Sequence, residues 1–193
     1  MTIELHGNWE KGFALDLQTT SSTYLGIDEF GHKQFDTKRP EIGEWVYKLK
    51  YKNDVSVVPK IVTKIQENIS EIDKLDAIIS IPPSNTTRSH QPVYLVGKAL
   101  SKTVGIPFFK DSLIKTGSNE ELKNIQDPSG RTKKLRQSMQ LTKNYDLQGK
   151  SVLLLDDLYR SGATLMVATE ILMTQAKVSR VYVLTLTKTR SNR

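Results

Sequence analysis

Short apolar runs alternate along the chain with segments whose apolar residues recur every three or four positions. The runs are typical of buried strands and occupy residues 77–81, 106–109, 152–155 and 181–186. The three-to-four spacing predicts helices over residues 40–52, 57–69, 93–104 and 162–176. Strands that alternate with helices in this way favour a mainly parallel sheet. We therefore predict an α/β fold with helices on both faces of the sheet.

The first 39 residues follow a different pattern. Residues 13–17 alternate weakly between apolar and polar, and residues 23–27 are β-branched and aromatic, so both favour strands. The glycines and acids of residues 26–31 are typical of a turn between strands. We predict a small β-containing hood at residues 1–39, followed by an α/β core at residues 40–193.

Residues 111–150 form a long polar connection that is rich in Lys, Asn, Gln and Ser. Connections of this length inside a compact domain are usually either functional or disordered. We interpret this one as a mobile lid. Ligands of parallel α/β sheets bind at the carboxyl ends of the strands, so the lid would close over that edge.

Composition excludes several kinds of site. The chain of 193 residues has no cysteine, which rules out disulfides, thiolate zinc sites and cysteine nucleophiles. Its three histidines lie far apart and show no metal-ligand spacing. No apolar run approaches the roughly 20 residues that span a bilayer, and the N-terminus lacks the pattern of a signal peptide. We expect a cytoplasmic protein without a membrane partner.

The net charge of +7 comes from 28 basic and 21 acidic residues. Such an excess favours an anionic partner, either nucleic acid or a polyphosphate, and does not distinguish the two. A DNA-binding regulator normally has a helix-turn-helix or a concentrated basic stripe, and neither is evident in this sequence. Because of the basic charge, nucleic acid stays open as a partner, although no DNA-binding motif supports it.

The most informative segment is residues 152–165, VLLLDDLYRSGATL. Its apolar strand would deliver Asp156 and Asp157 at its exit, where the carboxylates can accept hydrogen bonds from ribose hydroxyls. In the turn that follows, Gly162 permits close approach of the backbone, and the unpaired N–H groups of the first helical turn make an anion site. A helix capped by Ser161 would explain the turn but not the two acids. Acids for hydroxyls followed by a cradle for phosphate predict a sugar-phosphate site.

The same pattern, an apolar run followed by Asp-Asp-x-x-x-Ser-Gly-x-Thr, resembles the signature with which type I phosphoribosyltransferases bind phosphoribosyl pyrophosphate (PRPP). The wider sequence resembles the ComF/amidophosphoribosyltransferase-like branch of that family. The resemblance covers roughly residues 40–190, and it is carried by Lys50-Tyr51, by the strand exit Ile81-Pro82-Pro83-Ser84 and by the Asn- and Gln-rich residues 124–136. The chain lacks the N-terminal cysteine zinc module of some members and has SHQPVYL in place of their Arg-Gly-Phe-Asn-Gln run.

This resemblance implies a role for each matching residue. Asp156 and Asp157 would be the catalytic pair, and they would hold Mg2+ through water or through the ribose. The implied PRPP-binding residues are Tyr159, Arg160, Ser161, Gly162, Ala163 and Thr164 in the phosphate loop, and Pro83, Ser84 and Arg88 in the pyrophosphate loop. Lys123 and Arg131 are the candidates of the flexible segment to close over the pyrophosphate.

The resemblance also implies an activity. The protein would be a phosphoribosyltransferase that binds PRPP with Mg2+ and transfers the phosphoribosyl group to a nitrogenous base or amine, releasing pyrophosphate. We expect it to be a homodimer. A non-catalytic PRPP- or nucleotide-binding regulator, a nucleic-acid-linked, competence-like protein and a phosphoribohydrolase with the same pocket are the alternatives, and fold alone does not decide among them.

Overall fold

A six-stranded sheet forms the centre of the structure, a computed structural model that describes residues 2–83, 90–116, 127–143 and 145–190, except for the side chains of residues 128, 129 and 131. The strands are β1 (Ile3–Glu4), β2 (Lys11–Leu17), β5 (Ala77–Ser80), β6 (Phe108–Phe109), β9 (Ser151–Tyr159) and β10 (Arg180–Lys188). Their spatial order is β1-β2-β10-β9-β5-β6. All neighbours are parallel except β1 and β2. The predicted, mainly parallel sheet is confirmed.

Helices cover both faces of this sheet, as predicted. One face carries α1 (Glu41–Tyr51), α2 (Val58–Asn68) and α3 (Pro92–Val104), and the other carries α4 (Pro128–Ser138) and α5 (Ala163–Thr174). The helices pack on the sheet because their apolar residues recur at helical spacing and so lie on one side of each helix. In α2 this buried stripe consists of Val58, Ile61, Val62 and Ile65. Within the described ranges, no helix is long and apolar enough to cross a membrane.

Strand β9 lies between β10 and β5 and is buried on both of its faces. Leu153 and Leu155 pack towards α1, α2 and α3, whereas Val152 and Leu154 pack towards α5. The prediction that this strand ends at Leu155 is wrong, because β10 keeps pairing with β9 as far as Tyr159. The two acids therefore lie inside the strand and not after its end.

The first 39 residues are divided between the central sheet and a separate hairpin. Strand β2 pairs in parallel with β10, and β1 pairs with β2, so both belong to the sheet. The separate hairpin consists of β3 (Ser21–Ile27) and β4 (Lys33–Lys38), joined through the predicted turn. A domain boundary at residue 39 stays a prediction. Of the strands within residues 2–39, β3 and β4 stand outside the six-stranded sheet.

Much of the segment at residues 111–150 is folded. Strand β7 (Leu113–Lys115) pairs antiparallel with β8 (Met139–Leu141), and α4 directly precedes β8. Four apolar residues of the segment are buried in the core on the α5 side, namely Leu113, Leu135, Met139 and Leu147. They are few and widely separated among polar residues, so the sequence pattern did not reveal them. The sequence pattern did not predict strands or a helix in this segment, and the lid role stays a prediction.

Leu154 tests the double-sided burial of β9. Its side chain is fully buried, so Leu154→Ala will leave a cavity and lower the free energy of unfolding by about 2–5 kcal/mol. Urea denaturation followed by circular dichroism measures this loss. The matched control is Met173→Ala at an exposed position of α5, which will change stability by no more than about 0.5 kcal/mol. Equal losses in the two variants would contradict the central position of β9.

Candidate functional site

The acid pair lies where the central sheet opens. Pairing between β5 and β9 ends at Ser80 and Leu155, whereas β10 accompanies β9 further. Asp156 and Asp157 therefore have a paired strand on one side only. In open α/β sheets this crevice at the carboxyl ends of the strands is where ligands bind. Asp156 and Asp157 lie at this carboxyl end of the sheet.

The two carboxylates project from opposite faces of β9, because side chains alternate along a strand. Asp157 lies on the side of α1, where its Oδ2 atom accepts a hydrogen bond from Nζ of Lys50 at 2.6 Å. The two side chains are only 15% (Lys50) and 19% (Asp157) exposed. A carboxylate at such depth is costly unless it is paired. Lys50 thus compensates the charge of Asp157 and ties α1 to the edge of the sheet.

Asp156 lies on the opposite side of the strand, the side of α5. Burial, and next the neighbouring carboxylate of Asp157, raise the pKa of Asp156 to about 7. Lys115 of β7 acts against this rise, as does the backbone N–H of Asp157, which donates to Oδ1 of Asp156 at 2.8 Å. A carboxyl group in this setting changes its protonation close to neutral pH, so it responds to any ligand that brings a positive charge or a hydrogen-bond donor.

Two buried hydroxyl groups flank the acids. Thr185 of β10 is the strand neighbour of Asp156, and Ser80 of β5 is the strand neighbour of Leu155. Neither side-chain oxygen has a hydrogen-bond partner among the described residues. Buried polar groups in proteins normally have such partners, so these two hydroxyls mark the edge of the sheet as chemically different from the apolar core beneath it.

The turn after β9 directs backbone N–H groups towards the same edge. Gly162 is the N-cap of α5, and no side chain caps this helix. A structural role for Ser161 as the helix cap is therefore excluded, and Arg160 and Ser161 are exposed. Ala163 and Thr164 begin the helix. Uncapped N–H groups of a first turn, together with the helix dipole, favour the binding of an anion.

Gly162 is needed at this turn for two reasons. Its φ of +78° lies in the left-handed region that favours glycine. A Cβ atom at this position would also lie 2.9–3.1 Å from the hydroxyl and ring atoms of Tyr159. Tyr159 is itself buried in the core, so its ring packs beneath the turn and leaves no room for a larger residue at position 162.

The structure brings only some of the predicted residues together. Asp156, Asp157 and the stretch from Tyr159 to Thr164 form one continuous element. Pro83 follows the end of β5 and is half-buried. Four other candidates, Ser84, Arg88, Lys123 and the side chain of Arg131, lie outside the described residues, although the backbone of Arg131 belongs to α4.

A bound Mg2+ would have to rely on few protein groups. In the parts of the chain that are described, no three His, Asp or Glu side chains come together as a metal site. Mg2+ is nevertheless commonly held by one or two carboxylates, several waters and the phosphates of a substrate. Asp156 fits this arrangement, because a nearby cation would favour the ionised form that burial and Asp157 disfavour. Asp157 fits less directly, since Lys50 already contacts it.

The sequence motif did not assign a role to Lys50, Lys115, Ser80 or Thr185. Lys50 belongs to the Lys-Tyr pair that carries part of the family resemblance, and that pair was the only available signal for it. Lys50 and Asp157 are separated by 107 positions in sequence. Their contact depends on how α1 packs on the sheet, which no local pattern encodes.

Comparisons with known proteins give similarity in structure only. No family model matches the chain, and no curated protein matches it. An allosteric regulatory enzyme of purine biosynthesis is similar at 19% identity and a TM-score of 0.46; the match covers 83% of this chain and 34% of that one, so the chain spans about a third of its length. Adenine phosphoribosyltransferase from Thermoanaerobacter pseudethanolicus is similar at 15% identity and a TM-score of 0.45, covering 84% of this chain and 93% of that one. The Saccharomyces cerevisiae enzyme of the same name is similar at 12% identity and a TM-score of 0.46, covering 86% and 84%.

The raised pKa of Asp156 predicts how stability depends on pH. Between about pH 4 and pH 7 the folded protein keeps a proton that the unfolded chain has lost, so the free energy of unfolding falls as pH rises, by at most about 1.4 kcal/mol per pH unit. Asp156→Asn removes this effect. Its stability relative to the unsubstituted protein will therefore increase from pH 4 to pH 7 and then level off.

Urea denaturation at each pH unit from 4 to 8 measures this difference. Asp36→Asn, at an exposed position of β4, controls for the loss of one negative charge. A constant difference between Asp156→Asn and the unsubstituted protein across this range would show that Asp156 ionises as an ordinary carboxyl.

Gly162→Ala will destabilise the protein more than Gly149→Ala does. Both glycines have a left-handed φ, but a Cβ atom at Gly149 meets nothing within 4 Å, whereas one at Gly162 meets the ring of Tyr159. Each substitution therefore costs about 1–2 kcal/mol of backbone strain, and only Gly162→Ala adds a steric contact. Thermal unfolding of the two variants measures the difference, and equal losses would contradict the packing of Tyr159 against the turn.

Proposed function

We propose that the protein is a phosphoribosyltransferase, which binds PRPP with Mg2+ and transfers the phosphoribosyl group to a nitrogenous base or amine with release of pyrophosphate. The observation that supports this most is the order of groups at the carboxyl edge of β9. Two carboxylates are followed, within six residues, by an uncapped helix N-terminus at Gly162. The carboxylates can accept hydrogen bonds from ribose hydroxyls, and the helix N-terminus can bind a phosphate. The two kinds of group match the two ends of a ribose 5-phosphate.

The ribose would lie against the acid pair. Lys50 uses one oxygen of Asp157, Oδ2, and the other oxygen can accept a hydrogen bond from a ribose hydroxyl. Asp156, on the opposite side of the strand, would bind the second hydroxyl directly or through metal-bound water. Because the two carboxylates point to different sides, the sugar would bridge the edge of β9.

The phosphate groups would occupy the neighbouring loops. The turn from Arg160 to Thr164 would bind the 5-phosphate through its backbone N–H groups, its hydroxyls and the guanidinium of Arg160. Tyr159 would act indirectly, by supporting Gly162 from the core. Pro83, Ser84 and Arg88 would form the pyrophosphate loop, and Lys123 and Arg131 would approach the leaving group from the segment that includes α4. These last assignments rest on the resemblance in sequence.

The chemistry of the transfer suits this kind of site. Departure of pyrophosphate from C1 develops positive charge on the ribose and negative charge on the leaving group, so the protein has to position the reactants and stabilise charge. Bound Mg2+ would supply neutralisation of the pyrophosphate charge. Asp156 and Asp157 would orient the sugar, and the basic side chains would stabilise the departing anion.

Calorimetry with PRPP and Mg2+ tests the binding part of the proposal. Asp156→Ala and Asp157→Asn will each abolish or strongly weaken PRPP binding, since each removes an acceptor for the ribose. Circular dichroism will show that both variants keep the fold. The matched control is Asp36→Asn on the hairpin, which will bind PRPP like the unsubstituted protein. Unchanged PRPP affinity in both site variants would sink the assignment.

Pyrophosphate release tests the transfer itself. The protein is incubated with PRPP, Mg2+ and a panel of nitrogenous bases and amines, and released pyrophosphate is followed. Release that depends on one acceptor supports the transferase. PRPP binding without any release would assign the protein as a PRPP-binding regulator, and release without an acceptor would assign it as a hydrolase.

A further inference from the structure

Three polar atoms of Asp157 are held by neighbouring groups. Its backbone N–H donates to Oδ1 of Asp156 at 2.8 Å, and its backbone carbonyl accepts a hydrogen bond from Oγ1 of Thr187 at 2.8 Å. Its side-chain oxygen Oδ2 accepts from Nζ of Lys50 at 2.6 Å. Thr187 is fully buried, and the side chain of Lys50 is largely buried. The backbone and the side chain of Asp157 are therefore both fixed in position.

The second oxygen of this carboxylate, Oδ1, keeps its capacity to accept a hydrogen bond. Among the described residues, the side chain of Asp157 is bonded through Oδ2. The last torsion of an aspartate side chain is broad when nothing restrains it. Here the carboxylate cannot rotate about that bond without breaking its contact with Lys50. The position of Nζ of Lys50 therefore determines the direction in which Oδ1 points.

Stability alone does not explain an ion pair at this depth. The cost of taking two charges out of water can exceed what their attraction returns, and apolar side chains of similar volume often stabilise a protein equally well or better. Val46, one turn before Lys50 on α1, is buried in the apolar core, so apolar packing is available to this part of the helix. The ion pair is better explained by a requirement for an oriented carboxylate at Asp157.

We propose that Lys50 is a positioning residue for sugar recognition, which holds Oδ2 of Asp157 so that Oδ1 accepts a hydrogen bond from a ribose hydroxyl. This inference rests on the proposed function, because it requires that Asp157 binds the ribose. Lys50 acts through Asp157 and does not contact the ligand. Without Lys50 the carboxylate turns towards solvent or takes up a proton, and in both cases the hydroxyl loses an oriented acceptor.

The affinity that the sugar adds to a phosphate measures this role. Calorimetry gives the dissociation constants of inorganic phosphate and of ribose 5-phosphate, and the first divided by the second is the sugar-dependent gain. We expect the unsubstituted protein to bind ribose 5-phosphate more tightly than inorganic phosphate. Lys50→Met will lower the sugar-dependent gain by about tenfold, the effect of losing one hydrogen bond to a charged group. Circular dichroism checks that the variant keeps its fold.

Lys48→Met is the matched control, because it removes the same charge from the same last turn of α1. The side chain of Lys48 is 46% exposed and lies 3.9 Å from Glu44, so it does not hold the acid pair. This control will leave the sugar-dependent gain unchanged. Lys50→Arg keeps a charged donor at the position and will retain most of the gain. Equal losses in Lys48→Met and Lys50→Met would assign the effect to net charge and overturn the proposal.

The double variant Lys50→Met/Asp157→Asn separates an indirect role of Lys50 from a direct one. Two residues of which one acts through the other give losses that are not additive. The double variant will therefore lose no more of the sugar-dependent gain than Asp157→Asn alone. It contains no unpaired charge at this contact, so it also tests the role if Lys50→Met fails to fold. A further loss beyond that of Asp157→Asn would show that Lys50 binds the ligand itself and would overturn the positioning role.

The same measurements distinguish a failure of this inference from a failure of the proposed function. If Asp157→Asn lowers the sugar-dependent gain and Lys50→Met does not, Asp157 binds the sugar without help from Lys50, and only the positioning role fails. If Asp157→Asn also leaves the gain unchanged, or if the unsubstituted protein binds ribose 5-phosphate no better than inorganic phosphate, Asp157 does not recognise ribose. The proposed sugar site then fails together with the role of Lys50.

Discussion

The candidate site depends on how two adjacent carboxylates, Asp156 and Asp157, are accommodated within a strand that is buried on both faces. Neither charge can be left in an apolar setting without compensation. The strand separates them, so that Asp157 meets Lys50 on one side and Asp156 remains on the other with a pKa near neutrality. Lys50 reaches Asp157 from α1, a helix that packs on the sheet through Ile42, Val46 and Leu49. This ion pair joins α1 to the candidate site.

Helices and strands could be predicted from the sequence where their buried residues follow a regular apolar pattern. The buried side of α2 and residues 152–155 of β9 are apolar without interruption, so the sequence alone indicates that they are buried. The folded part of residues 111–150 was not accessible, since Leu113 and Leu135 belong to no periodic pattern and become buried only when β7 and β8 pair. The end of β9 could not be predicted either, because charged residues are not typical of a buried strand. Only the pairing with β10 shows that β9 continues to Tyr159.

The candidate site likewise has features that the sequence predicts and features that it does not. The order of Asp156, Asp157 and Gly162 is local, so the sequence alone predicts that these residues lie close together. The separation of the two carboxylates onto opposite faces follows from the continuation of the strand, and the partner of Asp157 follows from helix packing over a separation of 107 residues. A short motif thus predicts which groups lie near one another, whereas tertiary contacts decide how their charges are compensated.

The near-neutral pKa of Asp156 has a thermodynamic consequence for whatever binds there. If a ligand or metal ion requires the ionised carboxylate, binding at pH 7 expels a fraction of a proton into the solvent. The measured enthalpy of binding then contains the heat with which the buffer takes up that proton. Affinity also becomes coupled to acidity, so that a fall in the pH of the surroundings loosens the complex without any change in the protein's shape.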